Sequence, residues 1–470
     1  MFQFSPDPAT ADRQTQALIF FLTAFGYIDG NFDISERIFV RDYIKKLVDA
    51  RVATAQIADP QARDKWAHDL YEHFIGVFNH TDQFVRELFN ETLAAGEDLN
   101  EFVYGRLKLR TFEIIKGFTG ENQRQLVEAM EGVIAADGII HPAEAKFRSE
   151  VNQLLAASVP AHLSGNAVVD TTVNLKIKTA QPQVSDDNHP IFERIERPYS
   201  SDPTELMHQA AKDYQLMTAA LEILDKQRRR GQGRLAGKRH VSEMAGETAF
   251  LDDFIYVVPP DSTGPTELTV LGDLHGCYSC LKAAVLQSGF LSKVRAYQED
   301  QTLHPKPLLV LLGDYIDRGI YSLEGTLRGA LSLFVEYPEH VYLLRGNHEY
   351  FVERGGTIMS GVLPAEAINT WLGPMPVQHF QGYKRLFDNL PGSLFFDRIL
   401  FTHAGIPKDR TLSEEYVDLS SLNSPRIRFE MMWSDPSDVD YVPANMQDQN
   451  ARFPFGRMQL RAFMSLVGCN

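Results

Sequence analysis

The sequence predicts an α+β multidomain chain, with an all-α N-terminal region, a connector and a C-terminal α/β domain. Three observations carry this. The first 156 residues are rich in helix formers and poor in strand signals. Beyond residue 265, four short apolar runs each end in a polar turn that presents Asp, His or Asn. A length of 470 residues, 44% hydrophobic and 23% charged, is ordinary globular composition for two or more domains.

The N-terminal region, residues 1–156, contains an internal echo: IDGNFDISERIFVRDYIKKL at 28–47 and ADGIIHPAEAKFRSEVNQLL at 136–155. Both read Asp-Gly, five residues, then Glu. Asp33 with Glu36 fits an N-cap and its capping-box partner, and Pro142 after His141 fits the first helical position, followed by Glu144. Each copy therefore encodes helix, tight turn, helix. Asp29, Glu36, Asp137 and Glu144 are read first as turn and capping chemistry, with a metal or partner site as the alternative. The pattern resembles tellurite-resistance TerB-type helical domains, here as two spaced copies. The resemblance implies sensing or scaffolding and a protein partner for this region.

Residues 157–264 read as a linker. KTAQPQVSDDNHP and RPYSSDP are rich in proline, serine and aspartate. One helix is expected at about 204–229. DKQRRRGQGRLAGKR then places seven Lys/Arg in fifteen residues, expected first as a solvated, mobile connector, with nucleic acid, an anionic membrane or the acidic remainder of the protein as alternative partners.

The third region, residues 265–470, carries the chemistry. LLVLLGDYIDRG at 308–319 is a buried-strand run that stops at Gly313 and then places Asp314, Asp317 and Arg318. ELTVLGDLHG presents Asp273 and His275, HVYLLRGNHE presents Asn347, His348 and Glu349, and RILFTHAG presents His403. In layered α/β folds, ligands gather beyond the carboxyl ends of strands. A mixed Asp/His/Asn set suits borderline divalent metals better than calcium or magnesium. One such loop is usually an ordinary turn, but four in succession point to a metal site.

GDLHG, GDYIDRG, RGNHE and THAG together resemble the signature blocks of the phosphoprotein phosphatase branch of the calcineurin-like metallophosphoesterases. The resemblance covers about 265–470. It implies a metallophosphoesterase α/β sandwich of two mixed β-sheets flanked by helices. It also implies two divalent transition-metal ions, manganese first, with iron or zinc as alternatives. Asp273 and His275 would hold the first ion, Asp314 would bridge, and Asn347 and His403 would hold the second. Arg318 would grip phosphate oxygens, and His348 would be the general acid, oriented by Asp317. Two cations about 3.5–4 Å apart can clamp a phosphate and activate a bridging hydroxide for direct attack on phosphorus. A serine or threonine alkoxide is a strong base, so an imidazolium must protonate it as it leaves. A second phosphate-binding arginine precedes Phe-Gly in this family. Arg452 in NARFPFG matches it, with Arg457 as competitor.

The pattern then breaks. The family closes its second metal site with a further histidine, and no histidine follows His403. GRMQLRAFMSLVGCN predicts an amphipathic helix with Gly468 as its C-terminal stop. The domain is thus expected to be truncated before that last ligand and its final strands.

A net charge of −16 argues against sequence-wide nucleic-acid affinity. Three cysteines argue against a disulfide framework and favour a reducing compartment. Cys277 and Cys280 are read as two thiols on the helix after GDLHG. ALIFFLTAFGYI is too short to span a bilayer, and the expected location is the cytoplasm. The expected function is hydrolysis of phosphoserine and phosphothreonine in protein substrates. Hydrolysis of dinucleoside polyphosphates or another small phosphate ester is the enzymatic alternative. A non-catalytic scaffold that binds phosphoproteins is the other.

Overall fold

The computed structural model of the chain describes all residues except 1–3, 29–31, 33, 56, 92, 95, 135–141, 161–162, 164–187, 261–263, 449–451 and 470. The described residues form two compact units. One is Met1–His162 with Ser437–Asn450, and the other is Leu163–Pro436 with Ala451–Asn470.

The first unit is helical. Its helices are Pro8–Gly26, Ile34–Thr54, Pro60–Leu88, Leu99–Lys116, Gly120–Ile134 and Pro142–Ala156. A helix thus lies on either side of each Asp-Gly pattern. Asp29, Asp33 and Asp137 lie outside the described residues, as does the Glu144 side chain. Asp59 caps Pro60–Leu88 by accepting from the amides of Gln61 and Ala62 at 3.2 and 3.3 Å. Aromatic side chains fill the core, including Phe74, Phe78, Phe102 and Phe147.

Leu99–Lys116 is apolar on two faces. Phe102, Leu107 and Ile115 face the main core. Leu109 and Phe112 form a second cluster with Leu154, Val439, Val442 and Met446. A helix that is hydrophobic on more than one face must be covered on each. Here the second cover is a segment distant in sequence, from the WSDPSDVDYVPANM stretch. Ser437 Oγ also donates to Glu113 Oε1 at 2.5 Å. Burying each of the three apolar side chains is worth roughly 1.5–3 kcal/mol. Val442→Asp would place a charge at a fully buried position. It is expected to release residues 437–447 and make them cleavable in limited proteolysis, while the native segment resists.

The second unit is built on two sheets. Thr266–Leu271, Lys306–Leu311 and Val341–Leu343 form a parallel sheet in that order. The central strand is almost wholly buried, as its unbroken apolar run requires. The other sheet is mixed, in the order Ile399–Thr402, Ser393–Phe396, Ile255–Val258, Phe250–Asp252. Helices including Tyr278–Gln287, Arg328–Glu336 and Val377–Asn389 complete the α+β architecture. The helix Arg457–Val467 ends at Gly468 with φ 75°, the left-handed stop read from the sequence.

The expected linker of one helix differs from what its described part contains. That part carries the helices Pro190–Ile195 and Pro203–Gly231 and the strands Phe250–Asp252 and Ile255–Val258, all in the second unit. Its basic stretch is fixed in place. Arg228 Nε donates to the Asp253 carbonyl at 2.6 Å, and the Gly233 and Leu235 amides donate to the Asp252 carboxylate at 2.9 and 2.7 Å. Backbone-to-carboxylate bonds hold a segment that charge density alone assigned to solvent. No helix of the described residues is long and apolar enough to cross a membrane.

Candidate metal centre

Parallel pairing brings three strand ends to one edge. Leu311 pairs with Leu271 on one side and Leu343 on the other. The loops beyond them carry Asp273 and His275, Asp314 to Arg318, and Asn347 and His348. These loops stay tied after the strands stop. The Leu274 and His275 amides donate to the Asp314 carbonyl at 3.1 and 2.8 Å, and the Gly276 amide donates to the Tyr315 carbonyl at 3.0 Å. His403 follows Ile399–Thr402, the edge strand of the mixed sheet.

Backbone strain concentrates here. The described non-glycine residues with positive φ are Asp253, His275, Asp314, Asp317, Arg318 and Asp397, and four of those six lie in this site. Such residues persist where the surroundings over-determine them, and they cluster at functional sites. Gly313, at φ 110°, and Gly346 pack against one another's loops, and a Cβ on either would overlap backbone or the Asp314 carboxylate.

Two ligand sets share Asp314. His275, Asp314 and His348 offer atoms that converge, and so do Asp273, Asp314 and His403. His275 Nε2 lies 3.4 Å from Asp314 Oδ2, and His403 Nε2 lies 3.5 Å from Asp314 Oδ1. Asp273 oxygens lie 3.9 Å from His275 Nε2 and from His403 Nδ1. The inward amide atom of Asn347 lies 3.1 Å from His403 Nε2 and 3.0 and 3.2 Å from the Asp314 oxygens. Inward as NH2 it donates to these atoms; turned by half a rotation, its oxygen joins them as a ligand.

The tautomers fit a cation. His275 Nδ1 sits 3.0 Å from the Ile316 carbonyl, and His403 Nδ1 sits 3.0 Å from the Leu312 carbonyl. A carbonyl can only accept, so each Nδ1 carries the proton and each Nε2 turns a lone pair toward the centre. Burial holds the His275 pKa below its ordinary value despite the neighbouring Asp314 charge, which keeps the imidazole a neutral donor. Lone pairs and carboxylate oxygens that face one another at these distances repel, and a cation among them turns repulsion into coordination.

His348 and Asp317 form a fully buried pair, with Nδ1 at 2.8 Å from Oδ2. Asp317 Oδ1 also accepts from the Ala367 amide at 2.8 Å, and the His348 amide donates to Asp314 Oδ1 at 2.9 Å. Burial works against a charged His348, but the Asp317 hydrogen bond and the Asp314 charge outweigh it and raise its pKa. Arg318 is exposed on the same loop, and its amide donates to Glu366 Oε2 at 3.2 Å. Arg452 lies beside the parallel pair Ser434–Pro436 and Phe453–Phe455, with Nη1 3.3 Å from both Asp435 oxygens. Arg457 is the exposed first residue of the last helix.

Glu349 has a role that the sequence did not assign. It is fully buried. Its carboxylate accepts from the amides of Asp314 at 2.8 Å, Tyr315 at 2.9 Å and Gly346 at 3.0 Å, which pins the Asp314 loop to the Asn347 loop. Burial and then the Asp314 charge push the carboxyl up to about 8. Spacing could not separate this anchor from a ligand, because both are carboxylates beside His348. Glu349→Gln replaces one acceptor oxygen by a donor that faces an amide. A lost buried hydrogen bond with its donor left unpaired is worth about 1–3 kcal/mol. The variant is expected to melt at a lower temperature in calorimetry and to bind manganese more weakly in titration.

Cys277 and Cys280 are joined in a disulfide, where the sequence reading left two thiols. Cys277 is the residue before Tyr278–Gln287, and Cys280 lies in its first turn, so a three-residue spacing puts both sulfurs on one side.

Comparison with known proteins agrees with this geometry. Residues 266–468 match the family described as Calcineurin-like phosphoesterase. The chain is 28% identical over 205 residues to the serine/threonine-protein phosphatase 4 catalytic subunit of Saccharomyces cerevisiae, covering 42% of this chain and 58% of that protein. It is 33% identical over 193 residues to the serine/threonine-protein phosphatase PP2A-like PPG1 of Candida albicans, covering 40% and 41%. It is 29% identical over 212 residues to the serine/threonine-protein phosphatase 6 catalytic subunit of Drosophila melanogaster, covering 44% and 61%. The chain therefore spans roughly 41–61% of the length of these relatives. Four strand-end loops converging on Asp314, and relatives of this kind, both agree with the match of residues 266–468 to the calcineurin-like phosphoesterase family.

Proposed function

We propose that this chain is a metal-dependent phosphomonoesterase that hydrolyses phosphoserine and phosphothreonine in proteins. The observation that carries it is the convergence of Asp273, His275, Asp314, Asn347 and His403 on one centre, with the buried His348–Asp317 pair alongside. The substrate class rests on the relatives, whose names are serine/threonine-protein phosphatases.

In this reading Asp273, His275 and Asp314 hold one divalent ion, and Asp314, Asn347 and His403 hold the second, with manganese as the proposed ion and iron or zinc as alternatives. When bound, such ions act as Lewis acids on phosphate oxygens and lower the pKa of coordinated water. The remaining work falls to the chain. Arg318 is exposed on the ligand loop, where its guanidinium can take two phosphate oxygens at once. Arg452 is proposed as the second phosphate-binding arginine, exchanging its Asp435 partner for substrate. His348 holds a proton at Nε2 while Nδ1 donates to Asp317, and it delivers that proton to the departing serine or threonine oxygen. The helical unit is proposed to bind a protein partner.

The test is hydrolysis of phosphoserine, phosphothreonine and phosphotyrosine peptides and of a dinucleoside polyphosphate, after chelation and then with manganese. The expected result is manganese-restored phosphate release from phosphoserine and phosphothreonine peptides. Preferential cleavage of the dinucleoside polyphosphate would move the substrate class. No release from any substrate, with peptide still bound, would favour the scaffold reading.

A further inference from the structure

We propose that Cys277 and Cys280 form a reversible thiol–disulfide site whose state sets how tightly the adjacent ligand loop holds its metal. The proposal rests on the metal reading of Asp273, His275 and Asp314.

The disulfide closes directly on that loop. Cys277 follows Gly276, which follows His275. His275 and Gly276 both have left-handed backbone, at φ 41° and 68°. A histidine in that region persists only while its surroundings hold it there. One set of holders is the backbone ladder to Asp314 and Tyr315. A second is close packing, since a Cβ on Gly276 would come within 2.6 Å of the Gly319 carbonyl. The third is the disulfide. It ties Cys277 to the first turn of Tyr278–Gln287. That helix is itself anchored, because Leu281 is fully buried and Tyr278 Oη donates to Glu196 at 3.3 Å. The crosslink thus connects a strained metal-ligand turn to a fixed helix. Opening it removes the side-chain crosslink and leaves the peptide bond and the bonds from the Cys280 and Leu281 amides to the Cys277 carbonyl, at 3.0 and 3.3 Å, so that His275 gains room to leave its ligand geometry.

The site is open to exchange. Cys280 is exposed and Cys277 is half-buried. A small thiolate attacks Cys280 Sγ, the bond between the two sulfurs breaks, and Cys277 Sγ leaves and takes up a proton. A second small thiol then releases Cys280 as a thiol. In all, two small thiols become one small disulfide, two electrons pass to the protein, and two protons end on Cys277 and Cys280. A small disulfide drives the reverse.

The test uses the full chain in thiol–disulfide buffers of graded ratio. The protein is quenched, unfolded and alkylated, and its labels are counted by mass. Cys469, buried and free, reports one label in every state, and reduction adds two. Samples held oxidised or reduced are desalted without air and titrated with manganese. Reduction is expected to weaken manganese binding about tenfold, a common size for coupling between sites. Coupling is reciprocal, so saturating manganese must shift the thiol–disulfide equilibrium toward the disulfide by the same factor. Cys280→Ser is expected to bind manganese at the reduced value whatever the buffer. Equal manganese affinity in the two states, with the label count changing, overturns the coupling and leaves the metal reading standing. A label count that never changes overturns the exchange. No manganese binding in either state overturns both readings.

Discussion

Asp314→Asn is expected to reduce manganese-dependent hydrolysis of p-nitrophenyl phosphate by about 10³-fold or more. Metal ions contribute several kcal/mol of charge stabilisation in such reactions, and each roughly 1.4 kcal/mol is a factor of ten. Asp314 is the member common to both ligand sets. Its removal as a charge therefore weakens both ions rather than one. The substitution is gentle on the fold. Asparagine keeps an oxygen that can accept from the His348 amide, and the backbone bonds from Asp314 and Tyr315 to Glu349 do not involve the side chain. Circular dichroism should match the native chain while manganese titration shows weaker binding. Native turnover in this variant would sink the assignment of Asp314 as shared ligand.

His348→Asn should produce a second large effect, and one that depends on the substrate. Loss on a phosphoserine peptide is expected at about 10²–10⁴-fold, the usual worth of general acid catalysis. Loss on p-nitrophenyl phosphate should be far smaller, because that phenolate leaves without a proton. The Asp317 bond and the Asp314 charge raise the His348 pKa against the effect of burial. A general acid acts while protonated. Turnover of the peptide should therefore fall on the alkaline side as His348 loses its proton, and this limb should vanish in the variant. Equal losses on both substrates would make His348 a positioning residue only.

Much of the site was legible from residue types and their order. Asp273, His275, Asp314, Asn347 and His403 each follow an apolar run, and the fold brings the ends of those runs together. The helix at 457–467 and its Gly468 stop were equally legible, since amphipathic spacing and left-handed caps are local properties. Glu349 was not, because its partners are backbone amides, and every residue has one. The disulfide was missed because composition speaks to compartment, whereas pairing depends on where a helix begins. The basic stretch near Arg228 was read as mobile because its charge pattern gives no sign of the Asp252 carboxylate that orders the backbone around it.

The sequence by itself determined four of the strands, the candidate ligand types and the order in which they arrive, because apolar periodicity and turn chemistry act over a few residues. Tertiary structure alone decided that Asp314 stands in both candidate ligand groups, that His348 meets Asp317 in a buried pair, and that the imidazoles of His275 and His403 turn Nε2 inward. It alone decided that Val439, Val442 and Met446 close the second face of Leu99–Lys116. These features depend on strand order, on carbonyls such as those of Ile316 and Leu312, and on contacts across hundreds of residues. No local pattern encodes them, because they arise only when burial forces separate segments to satisfy one another's polar groups and apolar faces.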